Sequence, residues 1–187
     1  MLQITGCNKL VETPRLDTWR GSLDRRSALA NADAMLIGVI SDTHGLLRPE
    51  AVAALEGSDV IVHAGDVGNS DIIDKLNTIA PTFAVRGNVD TQGWARALPD
   101  TRVVEAGGLL LYVLHVRAEL SIDPVAAGYA AVIFGHSHKP SIEYCSGVLY
   151  LNPGSAGRRR FRLPVCVGRL RAADGTLHPE IVELQVG

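Results

Sequence analysis

Two histidines stand one residue apart in the segment FGHSHKP, directly after a run of apolar and β-branched residues. Side chains at positions i and i+2 of an extended segment lie on the same side, so His136 and His138 can aim two imidazole nitrogens at a metal ion. A polar loop with two surface histidines gives the same pattern, because short motifs recur by chance. The residues at the ends of the other apolar runs distinguish between a metal site and a surface loop.

Similar polar residues accompany the ends of four further apolar runs. Asp42 and His44 come after LIGVIS, Asp66 after DVIVHA, Asn88 after TFAVR, and His115 lies near the end of LLLYVLHV. Because ligands bind at the carboxyl ends of parallel strands, we expect these side chains to meet the two histidines on one sheet edge. Each alone has an ordinary explanation as a turn former, a cap or a core histidine. Five strand ends together favour a metal site.

The seven candidate ligands exceed what one tetrahedral ion uses, so two ions that share a bridging carboxylate are the economical arrangement. Imidazole and oxygen donors without thiolate favour manganese, iron, zinc, cobalt or nickel over calcium or magnesium alone, and manganese is our first expectation. Two divalent ions about 4 Å apart acidify a bridging water and neutralise phosphoryl oxygens during in-line attack. The residues therefore predict phosphoryl transfer with a metal-bridging hydroxide as the nucleophile.

The apolar runs alternate with helical patterns in the first half of the chain. Strands are predicted at residues 36–41, 59–64, 82–86, 101–106, 109–116 and 130–135, with helices at Pro49–Leu55 and Ser70–Ile79. The later runs IEYC, VLYLN, PVCVGRL and HPEIVELQV should pair as antiparallel hairpins through SG and DG turns. This order predicts a mixed sheet, or two packed sheets with helices outside.

Composition is that of a compact globular domain. The chain has 187 residues, of which 47% are hydrophobic and 20% charged, and its net charge of -2 gives no global field for nucleic acid or an anionic membrane. No apolar run reaches the roughly 20 residues that span a bilayer. Cys7, Cys145 and Cys166 form no CxxC motif, which suits reduced thiols. We expect a cytoplasmic protein without membrane association.

The N-terminal part of the chain differs from the rest. Residues 1–34 show no sustained periodicity, whereas a buried-strand pattern begins directly at Met35. We expect residues 1–34 to be an extension that is disordered or that precedes the true start of the protein. Residues 35–187 should form one domain.

The motifs SDTHG, HAGDV, VRGNVD, an isolated histidine and GHSH, in this order, resemble the calcineurin-like metallophosphoesterase superfamily. With GHSHKP and LNPGS, the chain looks most like the small bacterial and archaeal phosphodiesterase branch, from Met35 to about Val186. The resemblance implies the metallophosphatase fold, an α/β four-layer αββα sandwich of two mixed β-sheets flanked by helices. It also implies a phosphoesterase, and most specifically a phosphodiesterase.

The resemblance further implies a division of the candidate ligands between two metals. One metal would be held by Asp42, His44, Asp66 and His138, and the other by Asp66, Asn88, His115 and His136. Asp66 would bridge the two ions, and Asn88 would also contact the substrate phosphate.

Two departures from the family pattern concern the second metal and the proton donor. Val89 stands where many members carry a histidine that protonates the leaving group, so the general acid is unassigned. Asp90 would serve only with a raised pKa, and a role in the turn is the simpler expectation. His115 lies in LHVRAEL instead of an HGH-like segment, and Arg117 would contact a substrate phosphate or face solvent.

The run GRRRFR at residues 157–162 leaves three interpretations open. It could grip nucleic acid by charge and stacking. It could also face the candidate site and select phosphorylated substrates, although a solvated surface cluster is the commonest role of such a run. Nucleic acid is therefore not the favoured partner. His63 is expected to be buried near the site without being a ligand, and Ser155 has no nucleophile motif around it.

We expect a small phosphodiester or phosphomonoester substrate, and the sequence leaves the oligomeric state open, a homodimer included. The alternative is a metal-binding scaffold module of the same fold, because a eukaryotic retromer subunit resembles this chain in lacking the histidine after the asparagine. The presence of His44 favours catalysis. A nuclease that uses the arginine run as a clamp would show salt-sensitive binding to oligonucleotides.

Overall fold

A computed structural model of the chain describes residues 34–160 and 162–186. Within them, ten strands form two mixed sheets of five strands each. The first sheet contains β1 (Met35–Ile40), β2 (Val60–His63), β3 (Thr82–Ala84), β9 (Cys166–Ala173) and β10 (Thr176–Glu183), in the order β10-β9-β1-β2-β3. Strands β1, β2 and β3 run parallel, and the β9–β10 hairpin pairs antiparallel along the other side of β1.

The second sheet is also mixed, but it has an antiparallel strand at each edge. It contains β4 (Thr101–Ala106), β5 (Leu109–Leu114), β6 (Ala131–Ile133), β7 (Ser141–Cys145) and β8 (Val148–Asn152), in the order β4-β5-β6-β8-β7. Strands β5, β6 and β8 are parallel. The predicted SG and DG turns close the hairpins β7–β8 and β9–β10, as expected.

Two α-helices cover the outer face of the first sheet. Helix α1 (Pro49–Leu55) has the predicted bounds, with proline in its first turn, where no intrahelical partner for an N–H is lost. Helix α2 (Ser70–Asn77) is capped by Asn69, whose side chain accepts a hydrogen bond from the Asp71 N–H. The predicted helix ran to Ile79, but α2 ends earlier because the hydroxyl and N–H of Thr78 both donate to the Lys75 carbonyl.

The main core lies between the two sheets. Its central side chains are fully or almost fully buried and come from both sheets: Ile37, Val39, Val62, Leu111, Val113, Ile133 and Leu151. A second cluster fills the space between the first sheet and the helices, with Leu55 of α1 and Leu76 of α2 packed against Ile40 and Ile61. Truncating one of these leucine or isoleucine side chains to alanine would cost about 2 to 5 kcal/mol.

The outer face of the second sheet carries a thinner layer. Tyr112, Phe134 and Tyr150 form an apolar cluster there, and Leu120 and Tyr129 from the connection between β5 and β6 pack on it. That connection contains the 3-10 turn η2 (Arg117–Glu119) rather than an α-helix. The predicted α/β sandwich of two mixed sheets is therefore confirmed, with α-helices on one outer face and a turn-rich segment on the other.

The expected N-terminal extension falls almost entirely on residues 1–33, which lie outside the described residues, so the boundary at Met35 stays a prediction. Cys145 and Cys166 are free thiols, while Cys7 lies outside the described residues. No helix among the described residues is long and apolar enough to cross a membrane.

Candidate metal centre

The segments that follow β1, β2, β3, β5 and β6 meet at one edge of the sandwich and carry all seven predicted ligands. Backbone hydrogen bonds hold these segments together after the strands have ended. The Asp42 N–H donates to the Gly65 carbonyl at 3.0 Å, and the His44 N–H donates to the Asp66 carbonyl at 2.9 Å. The Gly135 N–H donates to the His115 carbonyl at 3.0 Å, which ties the end of β6 to the end of β5.

Three side chains form the first set: Asp42, His44 and His138. Nε2 of His138 lies 3.3 Å from Asp42 Oδ1 and 3.2 Å from Nε2 of His44. The two imidazole rings stack with an interplanar angle of 11° and centroids 5.1 Å apart. Three potential ligand atoms therefore converge on one point, and the three side chains come from the first and second sheets.

Three further side chains form the second set: Asn88, His115 and His136. Asn88 Oδ1 lies 3.1 Å from Nε2 of His115 and 3.0 Å from Nδ1 of His136. Nδ1 of His115 lies 2.7 Å from the Ala64 carbonyl, to which it donates its proton. In the neutral ring this leaves the lone pair of Nε2 facing the set, as a metal ligand requires.

Asp66 lies between the two sets. Its Oδ2 is 3.3 Å from Nε2 of His115 and 3.7 Å from Nε2 of His44, while its Oδ1 accepts a hydrogen bond from the Val89 N–H. Asp42 also comes close to both sets, because one oxygen of each aspartate and a nitrogen of His115 lie within 4.8 Å of one another. The geometry thus offers two adjoining groups of nitrogen and oxygen donors with carboxylates between them.

The residues fit divalent transition metal ions on a criterion independent of the motifs. Asp42 Oδ1 and His138 Nδ1 are buried without a hydrogen-bond partner among the described residues. An unpaired buried carboxylate oxygen costs free energy unless a cation or a donor approaches it. Because this oxygen faces two imidazole nitrogens, the set has the mixed nitrogen and oxygen chemistry that such ions prefer.

The backbone is strained at most of the candidate ligands. Positive φ angles of 47° to 67° occur at Asp42, His44, Asp66, His136 and His138. Outside glycine, the described residues show this conformation at only two further positions, Ser146 and Asp174 in the hairpin turns. Such angles cost of order 1 kcal/mol or more each and persist where the surrounding structure imposes them.

This conformation corrects the expectation for FGHSHKP. His136 and His138 do not lie on the same side of an extended segment, because both residues adopt left-handed backbone angles in a bend. Their rings consequently join different sets, His136 beside Asn88 and His138 beside His44.

Two glycines allow the close approach of the loops. A Cβ on Gly135 would overlap the hydroxyl of Ser41 and lie 2.7 Å from Asp42 Oδ2. A Cβ on Gly87 would overlap the backbone nitrogen and Oδ1 of Asp66. Only glycine therefore lets the chain after β3 and β6 pass so close to the two carboxylates.

Burial and local hydrogen bonds set the charge of the site. Burial raises the pKa of Asp42 to about 6, and the hydroxyl of Ser41 opposes this shift by donating to its Oδ2 at 2.7 Å. For Asp66, burial acts in the same direction, but hydrogen bonds from His115 and Val89 outweigh it and lower its pKa. Burial lowers the pKa of His115, but its hydrogen bonds with Asp66 and with the Ala64 carbonyl outweigh this effect and raise it. Burial lowers the pKa of His138 to about 4, with a further contribution from Arg160.

His63 is a buried supporting residue, as expected. Its Nδ1 accepts the Gly65 N–H, so its Nε2 donates to the Thr43 hydroxyl 2.9 Å away, and that hydroxyl donates to the Val67 carbonyl. Burial lowers the pKa of His63 to about 3, so the imidazole in this series of hydrogen bonds stays neutral. It fixes the loop after β1 against the loop after β2.

Further supporting residues carry little signal in the sequence. The carboxylate of Asp90 accepts hydrogen bonds from the N–H groups of Val67, Gly68 and Gly87, so it works as a loop anchor and not as an exposed proton donor. Asn152 donates to the Gly135 carbonyl at 2.7 Å and holds the histidine loop. The composition of Asn152–Ser155 predicts a turn, but it does not predict the hydrogen bond from Asn152 to the Gly135 carbonyl.

Arg117 is engaged by other side chains of the protein. Its guanidinium donates to Glu143 Oε2 at 2.9 Å and lies over the rings of Phe134 and Tyr150. These partners belong to the outer face of the second sheet and its β7 edge, and the expected phosphate contact of Arg117 stays a prediction. Val89, at the position of the family's proton donor, is 42% exposed and supplies no titratable group.

A pocket of about 460 Å³ opens beside the second set. Its wall includes Asn88, His115, Gln92, Arg96 and Glu119. Arg86 also lines it but forms an ion pair with Asp100. The pocket gives room for a substituent next to the candidate metal ligands.

Comparison with known sequences gives a consistent set of relatives. A family model described as the calcineurin-like phosphoesterase superfamily domain matches residues 35–175. The chain is 37% identical over 134 residues to a probable metallophosphoesterase of Methanocaldococcus jannaschii, covering 65% of this chain and 68% of that protein. It is 36% identical over 160 residues to a probable metallophosphoesterase of Methanothermobacter thermautotrophicus, covering 79% and 92%. A phosphodiesterase of M. jannaschii is 27% identical over 139 residues, with coverages of 64% and 83%.

Solved structures share the fold. An archaeal phosphodiesterase superposes with a TM-score of 0.66 at 24% identity, over 79% of this chain and all of the other. Vacuolar Protein Sorting 29 from Cryptosporidium parvum superposes with a TM-score of 0.65 at 18% identity, covering 81% and 98%. At these identities the likeness concerns the fold alone, so activity has to be argued from the site.

Proposed function

This chain belongs to the calcineurin-like phosphoesterase superfamily, and from that premise we propose that it is a phosphodiesterase that works with two divalent transition metal ions. The observation that carries the proposal is the convergence of seven donor side chains into two adjoining sets with Asp66 between them. Manganese is the first candidate, followed by nickel, cobalt, iron and zinc.

We assign the ligands as the sequence predicts. Asp42, His44 and His138 would hold one ion, Asn88, His115 and His136 the other, and Asp66 would bridge them. When bound, such ions acidify water and neutralise charge on phosphoryl oxygens. The assignment is supported by the unpaired Asp42 Oδ1 and by the hydrogen bond that turns Nε2 of His115 toward the set.

The remaining groups of the chain orient these ligands and the substrate. Ser41 and the His136 N–H hold Oδ2 of Asp42, which leaves Oδ1 directed at the two imidazoles. The exposed side-chain amide of Asn88 can donate to a phosphoryl oxygen, while its Oδ1 faces the imidazoles. Since Val89 offers no proton, catalysis should favour leaving groups that depart as weakly basic anions.

Two observations favour a diester over a monoester. The pocket beside Asn88 and His115 gives room for a second ester substituent, which a diester has and a monoester lacks. One named relative at 27% identity is a phosphodiesterase. A cytoplasmic location, a small-molecule substrate and the oligomeric state stay predictions.

The test is hydrolysis of bis(4-nitrophenyl) phosphate and of 4-nitrophenyl phosphate by chelator-stripped protein as each metal is added back. We expect metal-dependent turnover with a preference for the diester. In His136→Ala it should fall by at least about 100-fold, because loss of a direct ligand exceeds the usual cost of losing an outer partner. His178→Ala, which changes an exposed histidine on β10, is the matched control.

Two bound ions without turnover of either ester would contradict the proposal. That result would favour the alternative, a metal-binding scaffold module of the same fold. The alternative is supported by Val89, an exposed residue without a titratable group at the position where many family members carry the histidine that protonates the leaving group.

A further inference from the structure

An arginine cluster without carboxylate partners borders the first ligand set. Arg158, Arg159 and Arg160 follow Gly157 and are exposed, while Phe161 lies outside the described residues. The ion pairs of the described chain involve other arginines, Arg86 and Arg117, and none of the three in the cluster. Three consecutive arginines therefore have no ion-pair partner among the residues that the structure describes.

The base of this cluster is fixed to the loop that carries Asp42. The Ala156 N–H donates to the Ser41 carbonyl at 3.0 Å, and the Ser155 hydroxyl donates to the Asp42 carbonyl at 3.0 Å. A Cβ on Gly157 would overlap the Thr43 carbonyl, so the chain passes in direct contact with the first motif. The arginine segment therefore begins next to the loop that carries Asp42.

Arg48 secures the same point from the other side. Its Nε donates to the Gly157 carbonyl at 2.9 Å. Gly157 is thus held by Arg48 and packed against the Thr43 carbonyl, so the three arginines that follow it begin at the edge of the first set.

Arginine side chains beside a candidate site for metal cations require an explanation. Two divalent ions outweigh the charge of the two aspartates, so the loaded centre is positive and repels unpaired guanidinium groups. The repulsion is offset when an anion lies between them, and the planar fork of arginine matches phosphate oxygens in a bidentate way. The arrangement is therefore suited to a substrate with more negative charge than a simple diester.

We propose that Arg158, Arg159 and Arg160 bind a second phosphate of the substrate, next to the scissile phosphodiester. This inference rests on the proposed function and names its substrate class, a small phosphodiester that carries an additional phosphate group. Nucleic acid is the weaker candidate, since a net charge of -2 and a single short basic loop do not provide a long binding track.

The test compares two diesters that differ by one phosphate: thymidine 5′-(4-nitrophenyl phosphate) and the same compound with a 3′-phosphate. Manganese-loaded protein should show a kcat/KM about tenfold higher for the phosphate-bearing compound, as expected for one charge-assisted contact. In the double variant Arg158→Gln, Arg160→Gln this ratio should fall close to unity. Arg171→Gln is the control, because Arg171 is exposed on β9 and pairs with Leu36, at the far end of β1.

A binding measurement separates this inference from the proposed function. Titration calorimetry of the loaded protein should show tighter binding of thymidine 3′,5′-bisphosphate than of thymidine 5′-phosphate, with the difference lost in the double variant. If neither diester is hydrolysed but this difference persists, the proposed function is wrong and the phosphate subsite stands.

Three results would overturn the subsite. The first is an equal kcat/KM for the two diesters in the unmodified protein. The second is a ratio that the double variant leaves unchanged. The third is stronger competition by a short oligothymidylate than by the bisphosphate, lost in the double variant, which would make the loop a nucleic-acid clamp.

Discussion

At the scale of single residues, the two aspartates of the site differ in their affinity for protons. Burial raises the pKa of Asp42 to about 6, whereas hydrogen bonds from His115 and Val89 keep the pKa of Asp66 below its ordinary value. The pKa of His115 is raised by the same contact with Asp66. Protons and metal ions compete for these groups, so each set has its own pH dependence.

We predict that the second set loses its ion at a higher pH than the first. The raised pKa of His115 means that a metal must displace a proton there already above pH 6.5. In the first set, burial lowers the pKa of both imidazoles, that of His138 to about 4, and Asp42 takes up a proton below about pH 6. Apparent affinity should then fall about tenfold per pH unit for each displaced proton.

The measurement is zinc stoichiometry by titration calorimetry at a series of pH values between 7.5 and 5. Two ions should bind at the upper end and one ion in the intermediate range. Simultaneous loss of both ions would contradict the prediction.

Glycine at position 135 gives a second prediction at this scale. In Gly135→Ala the new methyl group meets Ser41 and Asp42, so we expect a loss of about 1 to 3 kcal/mol in the free energy of unfolding and weaker metal binding. Gly93→Ala is the matched control, because a Cβ there meets nothing within 4 Å. Urea unfolding of the metal-free variants checks the energy, and equal stability of the two would refute the steric argument.

At the scale of elements, the site is assembled by loops that continue the pairing of the strands. Asp90, from the loop after β3, binds three backbone N–H groups, two of them in the loop after β2. Because these donors are buried or partly buried, a single carboxylate positions the loops that carry Asp66 and Asn88.

We therefore predict that Asp90→Ala destabilises the metal-free protein by about 2 to 3 kcal/mol, because three N–H groups lose a charged acceptor. Asp100→Ala removes an exposed ion pair with Arg86 and should cost less than about 1 kcal/mol. Urea unfolding of both variants checks the difference. An Asp90→Ala variant as stable as Asp100→Ala would show that the loops hold without the anchor.

The strand ends could be predicted from the sequence, and the geometry at those ends could not. Helix α1 and both hairpins followed from proline position, periodicity and turn composition, since these signals are local. The left-handed angles at Asp42 and His136 depend on loops far apart in sequence. Two of the three partners of Asp90 and the partner of Arg117 also lie more than 20 residues away, so the local sequence could not identify them.

At the scale of the whole molecule, the candidate ligands come from both sheets. Asp42, His44 and Asp66 follow strands of the first sheet, whereas His115, His136 and His138 follow strands of the second. An ion held by both groups would link the two halves of the sandwich in addition to their apolar core.

We predict that saturating manganese raises the melting temperature of the chelator-stripped protein. An excess of about a hundredfold over the dissociation constant contributes about 2.7 kcal/mol per ion. For a domain of this size that amounts to roughly 5 to 10 °C per ion, and about twice that for two ions. His136→Ala should keep about half of the increase because it leaves the first set intact, and His178→Ala should keep all of it. An unchanged melting temperature would show that the folded protein does not bind manganese at these sets.

The strained backbone at five candidate ligands also has an evolutionary consequence. Glycine at any of these positions would relieve a left-handed angle and at the same time remove a metal ligand. Selection for chemistry and selection for stability therefore act in opposite directions on the same five codons. In a lineage released from the need to bind metal, each such change would stabilise the metal-free protein, so the fold should persist after the candidate site has been lost.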